Sequence, residues 1–287
     1  MSEKPIDRFY QQHAGYAQVT FAVGENATLW QNGRLISKVN TSGSFTVAAG
    51  DHYMLRVNDH GHITREHFAV GNVFDAIGQS NMFRWFLPDS ANAVHANAHT
   101  YMFDPETGTW SAPVGDGARA FLNAIEAGTH MPASIINSAQ GWTSVLQQDD
   151  GGNGWWLHGP LMAHTEVIYE QADTGGLAGV PWAGGETDGA HHVSEAVMQA
   201  GYTDLFDEIT STFDTPVIVQ EIGTTDGPAA PWFDVVREAE DAAVLAVAPD
   251  GSIGAVTQYT PNIAHEHFAL AAYATFATSM ANDWLVS

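Results

Sequence analysis

The segment Asp75-Ala-Ile-Gly-Gln-Ser-Asn-Met82 holds the residues best suited to covalent chemistry. An apolar run, Val70-Gly-Asn-Val-Phe-Asp-Ala-Ile77, leads into Gly78-Gln-Ser80, and a helix can follow. In an α/β sheet, ligands sit at the carboxyl ends of the strands. A serine on a sharp strand-to-helix turn is exposed there, and its amide lies near a helix start, where negative charge is favoured. That arrangement suits a nucleophile. A turn or helix-cap serine fits the same local pattern, so this segment alone leaves both readings open.

Other reactive groupings are weaker. The chain has no cysteine, which excludes disulfides, thiolate zinc sites and cysteine nucleophiles. Among its 14 histidines, His95 and His99 stand four apart, His191-His192 lie close to Asp188, and His60 and His62 alternate. None completes a His-Glu-x-x-His motif or has a matching distal ligand, so no metal or other cofactor is expected. No glycine-rich phosphate cradle is present. Trp142, Trp155 and Trp156 are suited either to stacking on sugar faces or to ordinary packing.

The elements that must position Ser80 come from a chain of 287 residues, long enough for one large domain or a domain with a small accessory one. Hydrophobic residues make up 45% of it, which permits a sizeable core. Nine basic against 33 acidic side chains give a net charge of −24. The imbalance reflects missing bases, since Lys4 and Lys38 are the only lysines, a profile shared by proteins of salty habitats and by ordinary acidic proteins. Such a surface repels phosphate backbones and anionic lipid, arguing against nucleic-acid binding and membrane docking. No apolar run reaches the ~20 residues that span a bilayer. The first 18 residues lack the apolar stretch of a secretory signal, so none is expected there and the compartment stays open.

Residues 1–70 read as a small antiparallel β module. Tyr16–Val23 alternates, and Asn26–Trp30 and Leu35–Val39 flank an Asn32-Gly33 hairpin turn. Ser44–Val47, His52–Val57 and His62–Arg65 follow, with a further turn at Asn58–Gly61. From residue 70 the texture changes. Short apolar strands, at 70–77, 134–137, 180–182, 216–220 and 254–258, alternate with helical patterns at 117–127, 192–211, 231–247 and 268–285. That alternation predicts a parallel sheet with helices on both faces. Residues 145–176, polar and rich in Gly and Trp, read as a surface loop near a site.

Gly78-Gln-Ser-Asn-Met82 resembles the first signature block of the SGNH-hydrolase superfamily, and more narrowly that of the sialate O-acetylesterase-like carbohydrate esterases. The likeness covers about residues 45–280 and rests on four blocks in the right order. It implies that Ser80 is the nucleophile. It implies that Gly141, in Ser134-Ile-Ile-Asn-Ser-Ala-Gln-Gly-Trp-Thr-Ser144, donates its amide with that of Ser80 to the oxyanion. The third block, Trp182-Ala-Gly-Gly-Glu-Thr-Asp188, matches except that Gly184 stands where the family has a glutamine, its side-chain oxyanion donor. Loss of one such donor costs on the order of 10²–10³ in rate. Gln79, Glu186, Asp188 and Trp142 are the implied orienting or substrate-binding residues. In Asn262-Ile-Ala-His-Glu-His-Phe268, two histidines compete for the general base. His267 aligns with the family's helix entry and is preferred, whereas His265 has Asn262 at the acid position. Ala264 occupies that position for His267, so a Ser–His dyad is expected, its imidazole oriented by a backbone carbonyl, Glu266 or Glu186.

The resemblance implies a three-layer α/β/α SGNH-type (flavodoxin-like) domain over residues 71–287 behind the β module of residues 1–70. It implies hydrolysis of an O-acetyl ester on a carbohydrate through an acetyl-enzyme. The departures at Gly184 and at the acid position leave a rival: a glycan-binding module of a viral tail or other surface assembly that keeps the pocket without turnover. Residues 1–70 would then attach it to the larger assembly.

Overall fold

The computed structural model describes residues 6–21, 26–39, 43–88, 93–147, 154–224, 230–247, 252–254 and 267–286. Its N-terminal part is built by alternation. Strands β1 (Arg8–Gln11), β2 (Tyr16–Phe21), β3 (Asn26–Gln31), β4 (Arg34–Val39), β5 (Gly43–Ala48) and β6 (Gly50–Asp59) come first. In β2 and β5 every second residue is buried. These residues, with Leu29, Tyr53, Leu55, Phe68 and Val70, form a core of their own. Asn32 and Gly33 both take positive φ (50° and 73°), as a tight two-residue hairpin turn between β3 and β4 requires.

Strand β7 (His62–Gly78) joins the two parts. The sequence predicts two strands here, at 62–65 and 70–77, but they are one ladder of 17 residues. Its first half pairs antiparallel with β6; its second half lies parallel between β10 (Ala133–Asn137) and β11 (Val180–Ala183). Phe68 to Gly78 are all buried, as expected for a strand covered on both faces. The chain therefore crosses residue 70 without a break, while the hydrophobic residues divide there into two clusters.

Beyond β7 the same sheet runs β13 (Ser252–Gly254), β12 (Val217–Gln220), β11, β7, β10, β8 (Thr100–Asp104) and β9 (Thr109–Ser111). All but the edge strand β9 are parallel. Helix α2 (Asp116–Thr129) packs with α7 (Leu270–Val286), and α5 (Glu195–Phe213) packs with α6 (Ala230–Val247). Strand order reverses at β7, whose two neighbours are reached in opposite directions, so a crevice opens beyond its carboxyl end. This is the three-layer α/β/α arrangement expected from the sequence.

One further expectation is corrected. The described part of the predicted 145–176 loop contains a helix, α3 (Pro160–Ala172), started by proline at its first position and burying Leu161, Met162, Thr165, Ile168 and Ala172. The hairpin β8–β9 and strand β1 carried no expectation. Of the last predicted strand, 254–258, only Gly254 lies within the described residues, where it ends β13. No helix among the described residues is long and apolar enough to cross a membrane.

Candidate active site

Strand β7 ends on a glycine for a steric reason. Gly78 has φ +141°, and a Cβ there would lie 2.1 Å from the carbonyl oxygen of Ala183. The strand ends are held on both sides: the Gln79 amide donates to the Ala183 carbonyl (2.8 Å), and the Gln140 amide donates to the Gly78 carbonyl (2.9 Å). Ser80 then opens the short helix α1 (Ser80–Phe83), half-buried at the crevice.

His267, three residues ahead of α7, reaches this serine. Its Nε2 lies 2.8 Å from Ser80 Oγ, across 187 residues of chain. Phe268 behind it is fully buried and packs against Tyr273 and Phe276 of α7, which fixes where the imidazole emerges. Burial, with a smaller contribution from the Arg84 cation, pushes the His267 pKa down to about 4. The imidazole is therefore neutral at pH 7, and Nε2 accepts the serine proton if the ring hydrogen sits on Nδ1. Among the described residues, the buried Nδ1 has no hydrogen-bond partner. The sequence offers Glu186 as one orienting group, but Glu186 does not bond that nitrogen. His265 and Asn262, like Ala264 and Glu266, lie outside the described residues.

Gly141 flanks the nucleophile: a Cβ built on it would be 4.0 Å from Ser80 Cβ. Its loop is tied down by three anchors. Thr143 Oγ1 donates to the Gln140 carbonyl (2.9 Å), and Trp156 Nε1 donates to Thr143 Oγ1 (3.1 Å). The third anchor is Asp188, which is fully buried and accepts the amides of Val145 (2.7 Å) and Leu146 (3.3 Å). Asp188 thus acts on the loop that carries Gly141, not on a ligand. Trp142, next to Gly141 in the chain, takes a left-handed conformation (φ +61°) and stands 72% exposed.

Gly184 is buried, and its carbonyl accepts the Tyr202 hydroxyl (2.8 Å). The space beside it is filled by Gln79, since an added Cβ would lie 3.2 Å from Gln79 Cγ and 3.1 Å from the Trp182 ring. Gln79 is itself buried. Its Oε1 accepts the Gly185 amide (2.9 Å) and its Nε2 donates weakly to Thr187 Oγ1 (3.4 Å). It therefore braces the turn after β11 rather than facing a substrate.

Glu186 accepts a hydrogen bond from the Asn81 side-chain amide, while Asn81 Oδ1 accepts the Tyr273 hydroxyl (2.6 Å). This chain links the residue after the nucleophile to α7, the helix that follows His267. Asn81, Tyr273 and Arg84 were not singled out from the sequence. Asn81 lies inside the first signature block and Tyr273 closes the helix-entry run that begins at His267, whereas Arg84 carries no local signal.

No protein-family profile and no curated protein matches the sequence. Solved structures do match its shape. A carbohydrate acetylesterase from Xanthomonas citri superposes with a TM-score of 0.64 at 17% identity, covering 95% of this chain and 72% of that one. A protein of Arabidopsis thaliana superposes with a TM-score of 0.56 at 17% identity, covering 76% of this chain and 99% of that one. At such identity the likeness speaks to fold: the chain shares the three-layer α/β/α fold of these proteins, with an antiparallel β module ahead of it.

Proposed function

We propose that the protein is a serine esterase that removes O-acetyl groups from a carbohydrate. The observation that carries this reading is the 2.8 Å approach of His267 Nε2 to Ser80 Oγ at the carboxyl end of the central strand. A neutral imidazole in that position takes the hydroxyl proton as Oγ attacks the acetyl carbonyl. The amides of Ser80 and Gly141 hold the oxyanion that develops. His267 then protonates the departing sugar oxygen, leaving acetyl on Ser80. Water, deprotonated by the same imidazole, attacks that ester and releases acetate. Among the described residues no group bonds Nδ1, and an imidazolium without such a partner is less stabilised than in a full triad, so turnover is slower without being abolished. Trp142 offers an exposed aromatic face for the sugar. The acetylesterase from Xanthomonas citri, which shares the fold, lends support to this substrate class.

The test is release of p-nitrophenol from p-nitrophenyl acetate, and of acetate from peracetylated sugars, by the wild type and by Ser80→Ala. Serine-dependent turnover of both supports the proposal. Glycan binding that survives Ser80→Ala, with no turnover by either protein, contradicts it and favours a binding module.

A further inference from the structure

The geometry points to a transition-metal site at the seam between the β module and the α/β domain, formed by Asp51, His52 and His99. One ligand atom from each lies within 4.8 Å of the other two. Sequence spacing does not reveal this cluster, since His95 is four residues from His99 whereas Asp51 and His52 lie 48 and 47 positions earlier.

Neighbouring residues of a regular strand point to opposite faces. Here the β6–β7 ladder slips between Gly50 and Tyr53, and His52 takes φ +56°. The bulge brings consecutive side chains to the same imidazole. Asp51 Oδ2 lies 2.5 Å from His99 Nδ1 and 3.5 Å from His52 Nε2. The Tyr101 hydroxyl donates to the same oxygen (3.2 Å) and orients the carboxylate from behind, as outer-shell donors do around metal ligands. Asp51 is buried, whereas the two imidazoles are nearly half exposed, so an ion has an approach and water can complete its coordination.

Two imidazoles and one carboxylate suit Zn²⁺ and its neighbours in the transition series, not Mg²⁺ or Ca²⁺, which take oxygen. With bonds of about 2.0–2.2 Å, tetrahedral ligand atoms stand about 3.4 Å apart. The Asp51–His52 separation already matches this, and a modest turn of the exposed His99 ring opens the shorter one. Coordination at Nδ1 moves the ring proton to Nε2, and the ion replaces the hydrogen bond to Asp51.

The site lies far from Ser80. The His99 carbonyl accepts the Ala133 amide (3.0 Å), and Ala133 is level with Asn72 on β7. Six further residues at about 3.3 Å each separate Asn72 from Gly78, placing the seam roughly 20 Å from the catalytic crevice. The ion would clamp the β6 bulge to the entry of β8, a structural role independent of ester hydrolysis.

Calorimetric titration of the untagged, EDTA-stripped full chain with ZnCl₂ tests this, alongside thermal unfolding with and without zinc. The expected result is one equivalent bound at micromolar affinity or tighter and a Tm raised by several degrees at saturation. His52→Ala, at an exposed position that leaves the fold intact, and His99→Ala should each weaken binding at least tenfold and remove the Tm rise, while His95→Ala changes neither. Co²⁺ in place of zinc should give visible absorption bands in the wild type that His52→Ala loses. Binding no tighter than millimolar, or binding unaffected by His52→Ala and His99→Ala, would overturn the assignment.

Discussion

The His267 imidazole meets the Ser80 hydroxyl at 2.8 Å with its other ring nitrogen buried and, among the described residues, unpartnered. An imidazole in this setting is kept neutral chiefly by the loss of water around it.

The pH profile follows from that setting. The base must be neutral to act, and burial followed by Arg84 lowers its pKa from 6.5 to about 4. The acid limb of kcat/KM for p-nitrophenyl acetate should therefore fall near pH 4, with activity rising as pH increases through it. Arg84→Gln should move the limb upward. A wild-type limb centred at 6.5 or above contradicts the account.

Asp188 should matter through the Gly141 loop. Asp188→Ala strips the acceptor from two amides, Val145 and Leu146. Each hydrogen bond to a charged group is worth ~1.5–3 kcal/mol, so a loss on the order of 3 kcal/mol is expected in urea unfolding. A drop in kcat of tenfold or more should accompany it, with KM less affected. Asp188→Asn keeps one acceptor and should fall between. Full kcat in Asp188→Ala would show that the loop needs no such anchor.

These residues differ in how far the sequence reveals them. Ser80 is legible because the apolar run of β7, the obligatory glycine and the turn are local. His267 is legible because a histidine at a helix entry is a local pattern too. The Asn32-Gly33 hairpin reads directly for the same reason. The unity of β7 does not, because residues 62–67 are mostly polar and exposed and join the ladder only through β6. Helix α3 was hidden by the Gly/Trp-rich stretch ahead of it, although its buried side chains keep a helical spacing. Gln79 and Asp188 were visible as candidates, but their work of bracing turns depends on partners about 40 to 110 residues away.

Trp142 should report on the sugar. Its exposed ring, one residue after Gly141, predicts that Trp142→Ala raises KM for acetylated sugars several-fold, while p-nitrophenyl acetate is affected less. Steady-state kinetics on both substrates separates the two. Equal losses would place its contribution in the Gly141 loop instead.

Asp75 should make stability depend on pH. It is fully buried in β7, and burial pushes its pKa from 3.8 up to about 8, with the nearby Ser138 hydroxyl opposing in part. A carboxyl neutral in the fold and titrating near 3.8 when unfolded lends its full stability below pH 4. That stability is lost as pH rises through 8, with a ceiling on the order of 5 kcal/mol. Asp75→Asn cannot ionise, so its urea midpoint should fall less than that of the wild type between pH 5 and 9. Parallel profiles would mean that the carboxyl is ionised throughout.

The most direct measurement is covalent trapping. An organophosphate such as paraoxon phosphorylates an activated serine, and peptide mass spectrometry locates the adduct. The account predicts one diethylphosphoryl group per chain, on the peptide containing Ser80, absent from Ser80→Ala and formed far more slowly in His267→Ala. A label on another residue, or labelling undiminished in Ser80→Ala, would contradict it.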